Sequence, residues 1–204
     1  MAERKRRLVA AELAEAALLL LAEKGFEAVT IDEIAVTAGV SKRTFFRYFA
    51  SKEDVVVQVL ADLGPGMCAE LAARPAAEPP SVALRHAVWT TLAACADGPD
   101  HAGHGDRALR VVQLIVRTPA LLGRFLERQA QWRDELAAEL AARLGLDPAT
   151  AMYPPLAAGM ALSAFDTVLR RWSDSDGTED PAALIDHAFA VLAPALDAVG
   201  ASRA

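Results

Sequence analysis

The sequence predicts an all-α protein, and three observations carry that expectation. Ala and Leu dominate the composition, runs of β-branched or aromatic residues are few, and apolar residues recur at three- and four-residue spacing. At 204 residues the chain is long enough to bury a substantial core and to hold a small domain plus a larger one.

Gly, Pro and capping residues then set the elements in order. The first helix is expected over Lys5–Lys24, with Leu13, Ala16, Ala17, Leu20 and Leu21 on one face and Gly25 as its stop. A second runs over Ile31–Ala38 and ends where Gly39 suits a left-handed C-cap. Val40 plugs the angle that follows, and Ser41 is a natural N-cap for a third helix. A fourth starts at Ser51, and Gly64-Pro65-Gly66 interrupts or ends it. Arg74–Pro80 is a Pro/Ala linker and the clearest boundary in the chain. Helices are then expected over Ser81–Ala96, Asp106–Arg117, Pro119–Leu144 and Pro154–Trp172. Asp97–Gly105 and Ser173–Thr178 are loops. Asp180-Pro181 opens a last helix that continues to Val199.

Thr30–Lys52 is the most informative stretch. Two short helices meet at a tight turn, and the second carries Lys42, Arg43 and Arg47 outward with Phe45 and Phe49 inward. No acid falls between Ser41 and Lys52. This is the layout of a helix-turn-helix whose second helix enters a major groove. Lys42 and Arg43 begin that helix, where long cations reach guanine edges or phosphates. Ser41, Thr44 and Tyr48 offer hydroxyls to phosphate, and Lys52 a point charge. Arg4, Lys5, Arg6 and Arg7 are expected as a basic arm ahead of the first helix. A solvated basic hairpin is the competing reading on charge alone.

Net charge is −6, but its distribution agrees with a nucleic-acid contact. Residues 1–50 hold eight Lys/Arg against seven acids, and the remainder carries −7. Local fields decide affinity for DNA, not the total.

The motif positions over Leu13–Lys52 resemble the TetR family of transcriptional regulators. They are Leu21–Gly25, Thr30, Ile34–Ala35, Ala38–Ser41, Thr44–Phe49 and Ser51–Glu53. Phe46 departs from the pattern, since tyrosine is usual there and its hydroxyl often touches phosphate. The resemblance implies a three-helix DNA-binding domain over 1–50, with Thr30 among the DNA-contacting residues. It also implies a helical effector-binding and dimerisation domain over 51–204. LRVVQLIVRTPALLGRFLERQAQWRDEL is similar to a subgroup that senses acyl-CoA-like ligands, mycofactocin-system regulators among them.

In the larger part, Leu156, Gly159, Met160, Ser163 and Thr167 form a small-residue face, and Leu184, Ala188, Val191, Leu192 and Ala195 a 3–4 spaced stripe. Either set suits a core; together, beside a DNA module that needs a partner, they predict a homodimer interface. Trp89, Phe125, Trp132 and Phe165, with Arg128, Gln129 and Arg133 as polar anchors, are the expected effector site. The partners expected are therefore operator DNA, a second copy and a small apolar or acyl-bearing effector. A repressor released by that effector is the function this predicts.

Other classes fit poorly. Glu12, Glu15 and Glu23 interrupt the apolar N-terminus that a signal peptide would need, and no run is long enough to span a membrane. A cytoplasmic protein is expected. Cys68 and Cys95 lack metal-type spacing. His101 and His104 sit in a Gly-rich loop without fixed geometry. No phosphate loop, nucleophile elbow or acid/base pair is present, so no enzyme and no cofactor are expected. A helical adaptor that binds no DNA is the alternative.

Overall fold

The structure, a computed structural model, describes residues 2–59, 63–96 and 104–198, and of residues 2–5, 7, 57–59, 63, 94–96 and 104–107 only the backbone. The described elements are all helices: α1 (Ala2–Lys24), α2 (Ile31–Thr37), α3 (Lys42–Tyr48), α4 (Lys52–Val59), α5 (Leu63–Ala73), α6 (Pro80–Ala96), α7 (His104–Arg117), α8 (Pro119–Leu144), α9 (Tyr153–Asp174) and α10 (Pro181–Leu196). They gather into two compact units. One comprises Met1–Asp62 with Arg110–Leu126, the other Leu63–Leu109 with Glu127–Ala204.

In the first unit α1 packs on α2 and α4, and α2 packs on α3. Leu13, Ala16, Ala17, Leu20 and Leu21 of α1 are buried with Ile34, Ala35, Phe45, Phe49, Val55 and Val56. The unit therefore continues through α4, past the residue-50 division drawn from sequence. Helix α1 begins at Ala2, so Arg4–Arg7 are its opening turns and not an arm ahead of it. Ala, Glu, Arg and Lys are all good helix formers, and nothing in that run breaks the pattern.

The second unit is built on α6, which packs on α5, α9 and α10. Its core includes Leu84, Val88, Leu92, Trp132, Leu136, Ala161, Phe165, Trp172, Ile185 and Phe189. Gly64-Pro65-Gly66 lies within α5 and does not end it. Gly64 is required for space: a Cβ there would lie 2.1 Å from Trp132 Cδ1. The Pro/Ala stretch Arg74–Pro80 lies inside this unit and is pinned. Arg143 of α8 donates to the carbonyls of Arg74 (2.8 Å), Pro75 and Glu78 (3.2 Å).

Asp197, just past α10, closes the N-terminus of α6. Its carboxylate accepts the Ser81 N–H at 2.9 Å and the Ser81 hydroxyl at 2.7 Å. This satisfies an end-of-helix donor from a distant segment. The Tyr153 phenol donates to the Leu196 carbonyl, and burial and then the Asp197 charge push its pKa up to about 12. Residues 97–103, where a loop with His101 was expected, lie outside the described residues, as does Val199; His104 and Gly105, expected in the same loop, belong to α7.

Candidate nucleic-acid interface

The turn that presents α3 is fixed by backbone geometry. Gly39 has φ +67°, the left-handed region where a side chain is strained. Its N–H reaches Val36 O at 3.0 Å and the Val40 N–H reaches Ala35 O at 2.9 Å. This pair of bonds is a Schellman cap. Ser41 then starts α3: its Oγ accepts the Thr44 N–H at 3.1 Å and lies 3.0 Å from Thr44 Oγ1. Of the three hydroxyls expected at phosphate, that of Ser41 thus also caps α3 and that of Thr44 pairs with it.

Within α3 the burial pattern separates two faces. Phe45 and Phe49 are buried, while Lys42, Arg43, Phe46 and Arg47 are exposed. Positions i, i+1, i+4 and i+5 share one side of a helix. Lys42 pairs with Asp32 at 2.9 Å, an exposed pair easily exchanged. The Arg47 guanidinium lies over the Tyr48 ring, 5.1 Å from its centroid. Arg43 has no hydrogen bond or ion pair among the described residues. Of the opening turns of α1, Arg6 is exposed.

Two supports behind this face were not foreseen. Thr30 and Glu33 form a capping box on α2: the Glu33 N–H donates to Thr30 Oγ1 (3.2 Å) and the Thr30 N–H to Glu33 Oε2 (2.9 Å). Lys24 adds a 2.8 Å ion pair. The Lys24 bond, then the Thr30 bonds, hold the Glu33 carboxyl down at about 2. The spacing Thr30-x-x-Glu33 ahead of an apolar run was the sequence signal for the box. Lys52 is the second support. Its Nζ donates to Phe26 O (2.6 Å) and Val29 O (3.1 Å) and lies 4.2 Å from the Phe26 ring centroid. No local pattern reveals a contact across 26 residues.

The predicted sites of the second unit divide differently. Leu156, Gly159, Met160, Ser163, Thr167, Leu184, Ala188, Val191 and Leu192 line one apolar groove of about 670 Å³ along α9 and α10. Ala195 is exposed but does not line it. Arg133, read as an effector anchor, lines this groove instead, with its Cδ 3.9 Å from where a Gly159 Cβ would sit. Of the remaining effector candidates, Trp132 and Phe165 are buried in the second unit, Trp89 and Gln129 are half-buried there, and Phe125 is buried in the first. Arg128 is half-buried and donates to Gln131 at 2.9 Å. Gln129 Nε2 is buried with no hydrogen-bond partner among the described residues.

Other chemistry finds little purchase. Burial, then Glu135 and Glu139, push the Cys68 thiol up, away from an activated thiolate. Among the described residues no group of three His, Cys, Asp or Glu is placed to hold a metal ion. None of the described helices is long and apolar enough to cross a membrane.

Comparison with known proteins bears on this interface directly. Residues 13–59 match the bacterial regulatory proteins of the tetR family, and residues 78–197 match the MftR C-terminal domain. The chain belongs to the TetR family. It is thus a helix-turn-helix, DNA-binding transcription regulator, with α2 and α3 inside the matched N-terminal region. One relative, the HTH-type transcriptional regulator TcmR of Streptomyces glaucescens, is 33% identical over 170 residues, covering 83% of this chain and 75% of TcmR. A second, described as the mycofactocin biosynthesis transcriptional regulator MftR of Mycobacterium tuberculosis, is 31% identical over 178 residues, covering 82% and 83%. Among solved structures, the TetR fold is shared with FadR of Bacillus subtilis in complex with stearoyl-CoA. That match has TM-score 0.65 and 21% identity, and covers 90% of this chain and 97% of that one.

Proposed function

We propose that this regulator acts as a homodimeric repressor in the cytoplasm, released from its operator by an acyl-bearing small molecule. Residues 1–50 carry the DNA contact and 51–204 the effector and the dimer contact. The observation that carries the reading is the groove on α9 and α10. Leu156 and Val191 on that face are 58% and 68% exposed, an unusual placement for large apolar groups at adjacent positions of two helices. A second copy would cover the face and present two α3 helices to two half-sites.

The effector reading rests on the buried aromatic side chains of the second unit and on Gln129. A buried amide donor without a partner is costly, and a ligand acceptor would satisfy it. The stearoyl-CoA held by FadR motivates the choice of probe. Ligand then shifts the population toward a conformer whose α3 helices are wrongly spaced for consecutive grooves.

Gel shifts with the DNA upstream of the protein's own gene, at two salt concentrations and with stearoyl-CoA or free CoA added, test this. The shift should weaken at high salt and be abolished by stearoyl-CoA but not by CoA. Gln129→Leu should bind the same DNA and respond less. An unchanged shift with every acyl-CoA chain length would overturn the effector class while leaving the DNA contact standing.

A further inference from the structure

Phe46 is half exposed, at 50%, in the middle of the only strongly cationic face of α3. It follows Arg43 by three positions and Lys42 by four, so the three side chains are neighbours on one surface. The ring is not loose. Its centroid is 5.6 Å from that of the fully buried Phe45, at 86°, so an immobile core residue props it edge-to-face. The half of this large apolar ring that its own unit does not cover is held outward among cations. It has no hydroxyl to offer a phosphate oxygen. In a major groove the only apolar feature on a base edge is the 5-methyl group of thymine.

From this we infer that Phe46 is a specificity-determining residue: it packs on a thymine methyl and so selects a thymine in each half-site, beside the base pair reached by Arg43. The inference rests on α3 being the groove-reading helix. Charge complementarity supplies the approach, since Lys42, Arg43 and Arg47 surround the ring and draw it to the polyanion. The cations position and the ring discriminates.

The test begins with the full chain and a random duplex pool, so that no operator need be known. Sites enriched by the wild type are remade with each thymine in turn replaced by uracil, which removes the methyl and keeps the pairing. Wild-type binding should fall about fourfold per half-site at one position, the scale of one buried methyl group. Phe46→Ala should lose that discrimination and bind the thymine and uracil sites alike. Phe46→Tyr should keep it, because the ring remains. Phe46→Gln repeats the comparison with a side chain of similar reach and no apolar face. The inference is overturned if the wild type is indifferent to uracil everywhere in the site. It is equally overturned if Phe46→Ala and Phe46→Gln discriminate as the wild type does, because the methyl is then read by another group. Failure to enrich any sequence would count instead against α3 as a reader, and the inference would fall with it.

Discussion

Two side chains on or beside α3 do different jobs, and their partners distinguish them. Arg43 is exposed and unpartnered among the described residues, so its guanidinium is available to a base edge without first leaving another contact. Arg43→Ala should cost roughly 1–3 kcal/mol of binding and relax preference at one base pair, read by competition between selected and mutated sites. Lys52 is different. Two carbonyls and the Phe26 face already hold its ammonium, which makes it a latch between α4 and the turn after α1. Lys52→Met should therefore destabilise the fold by about 1–3 kcal/mol, since two part-buried carbonyls lose their donor. The slope of log affinity against log salt should stay as in the wild type. A slope reduced by about one would instead show Lys52 neutralising a phosphate.

At the scale of elements, α2 is braced to α1 by a single carboxylate. Glu33 closes the capping box and pairs with Lys24, and these bonds lower its pKa from 4.5 to about 2. A folded-state pKa below the unfolded one means stability that is fully present above pH 4.5 and lost as pH falls toward 2. Thermal melts of the wild type should therefore lose stability across that window. Glu33→Gln should lose less across it, because glutamine does not titrate, while other lowered carboxyls such as Glu78 and Glu179 contribute equally to both proteins. Identical pH dependence in the two would remove Glu33 as a brace. The helix ends tell a similar story of shared caps, with Asp197 closing α6 from the far end of the chain.

For the whole molecule the decisive position is Gly159. Within the chain, a Cβ added there would find Arg133 Cδ nearest, at 3.9 Å, an ordinary contact with a flexible side chain. Added bulk is thus tolerated inside the monomer and felt only by whatever covers the groove. Gly159→Leu should leave helical content and melting of the subunit near the wild type. It should weaken self-association by about 1–3 kcal/mol per site, doubled by symmetry. Sedimentation at matched concentrations reads the weakened self-association, and loss of the operator shift reads its consequence for DNA binding. A variant that still sediments as the wild-type assembly would place the subunit contact elsewhere.

Most of the helices and the character of the interface were legible in the residues themselves. Gly39, Ser41, Asp180 and Pro181 act through their own backbone preferences, so their turn and caps follow from local chemistry. The spacing that buries Phe45 and Phe49 while exposing Lys42, Arg43 and Arg47 is a property of one short helix and needs no partner to be read. The same is true of the stripe on α10 and the small-residue face of α9. Contacts between distant segments were not legible. That Arg74–Pro80 is clamped by Arg143, that Lys52 serves carbonyls, and that Arg133 faces the groove depend on which helix lies beside which. A long cation carries the same charge in every setting, and only packing decides whether it meets a carbonyl, a carboxylate or solvent. The sequence by itself determined the helices, their caps and the cationic face of α3, because these arise from interactions within a turn or two of chain. Tertiary structure alone decided which charges are spent holding the fold together and which remain exposed, because that depends on neighbours brought from far along the chain.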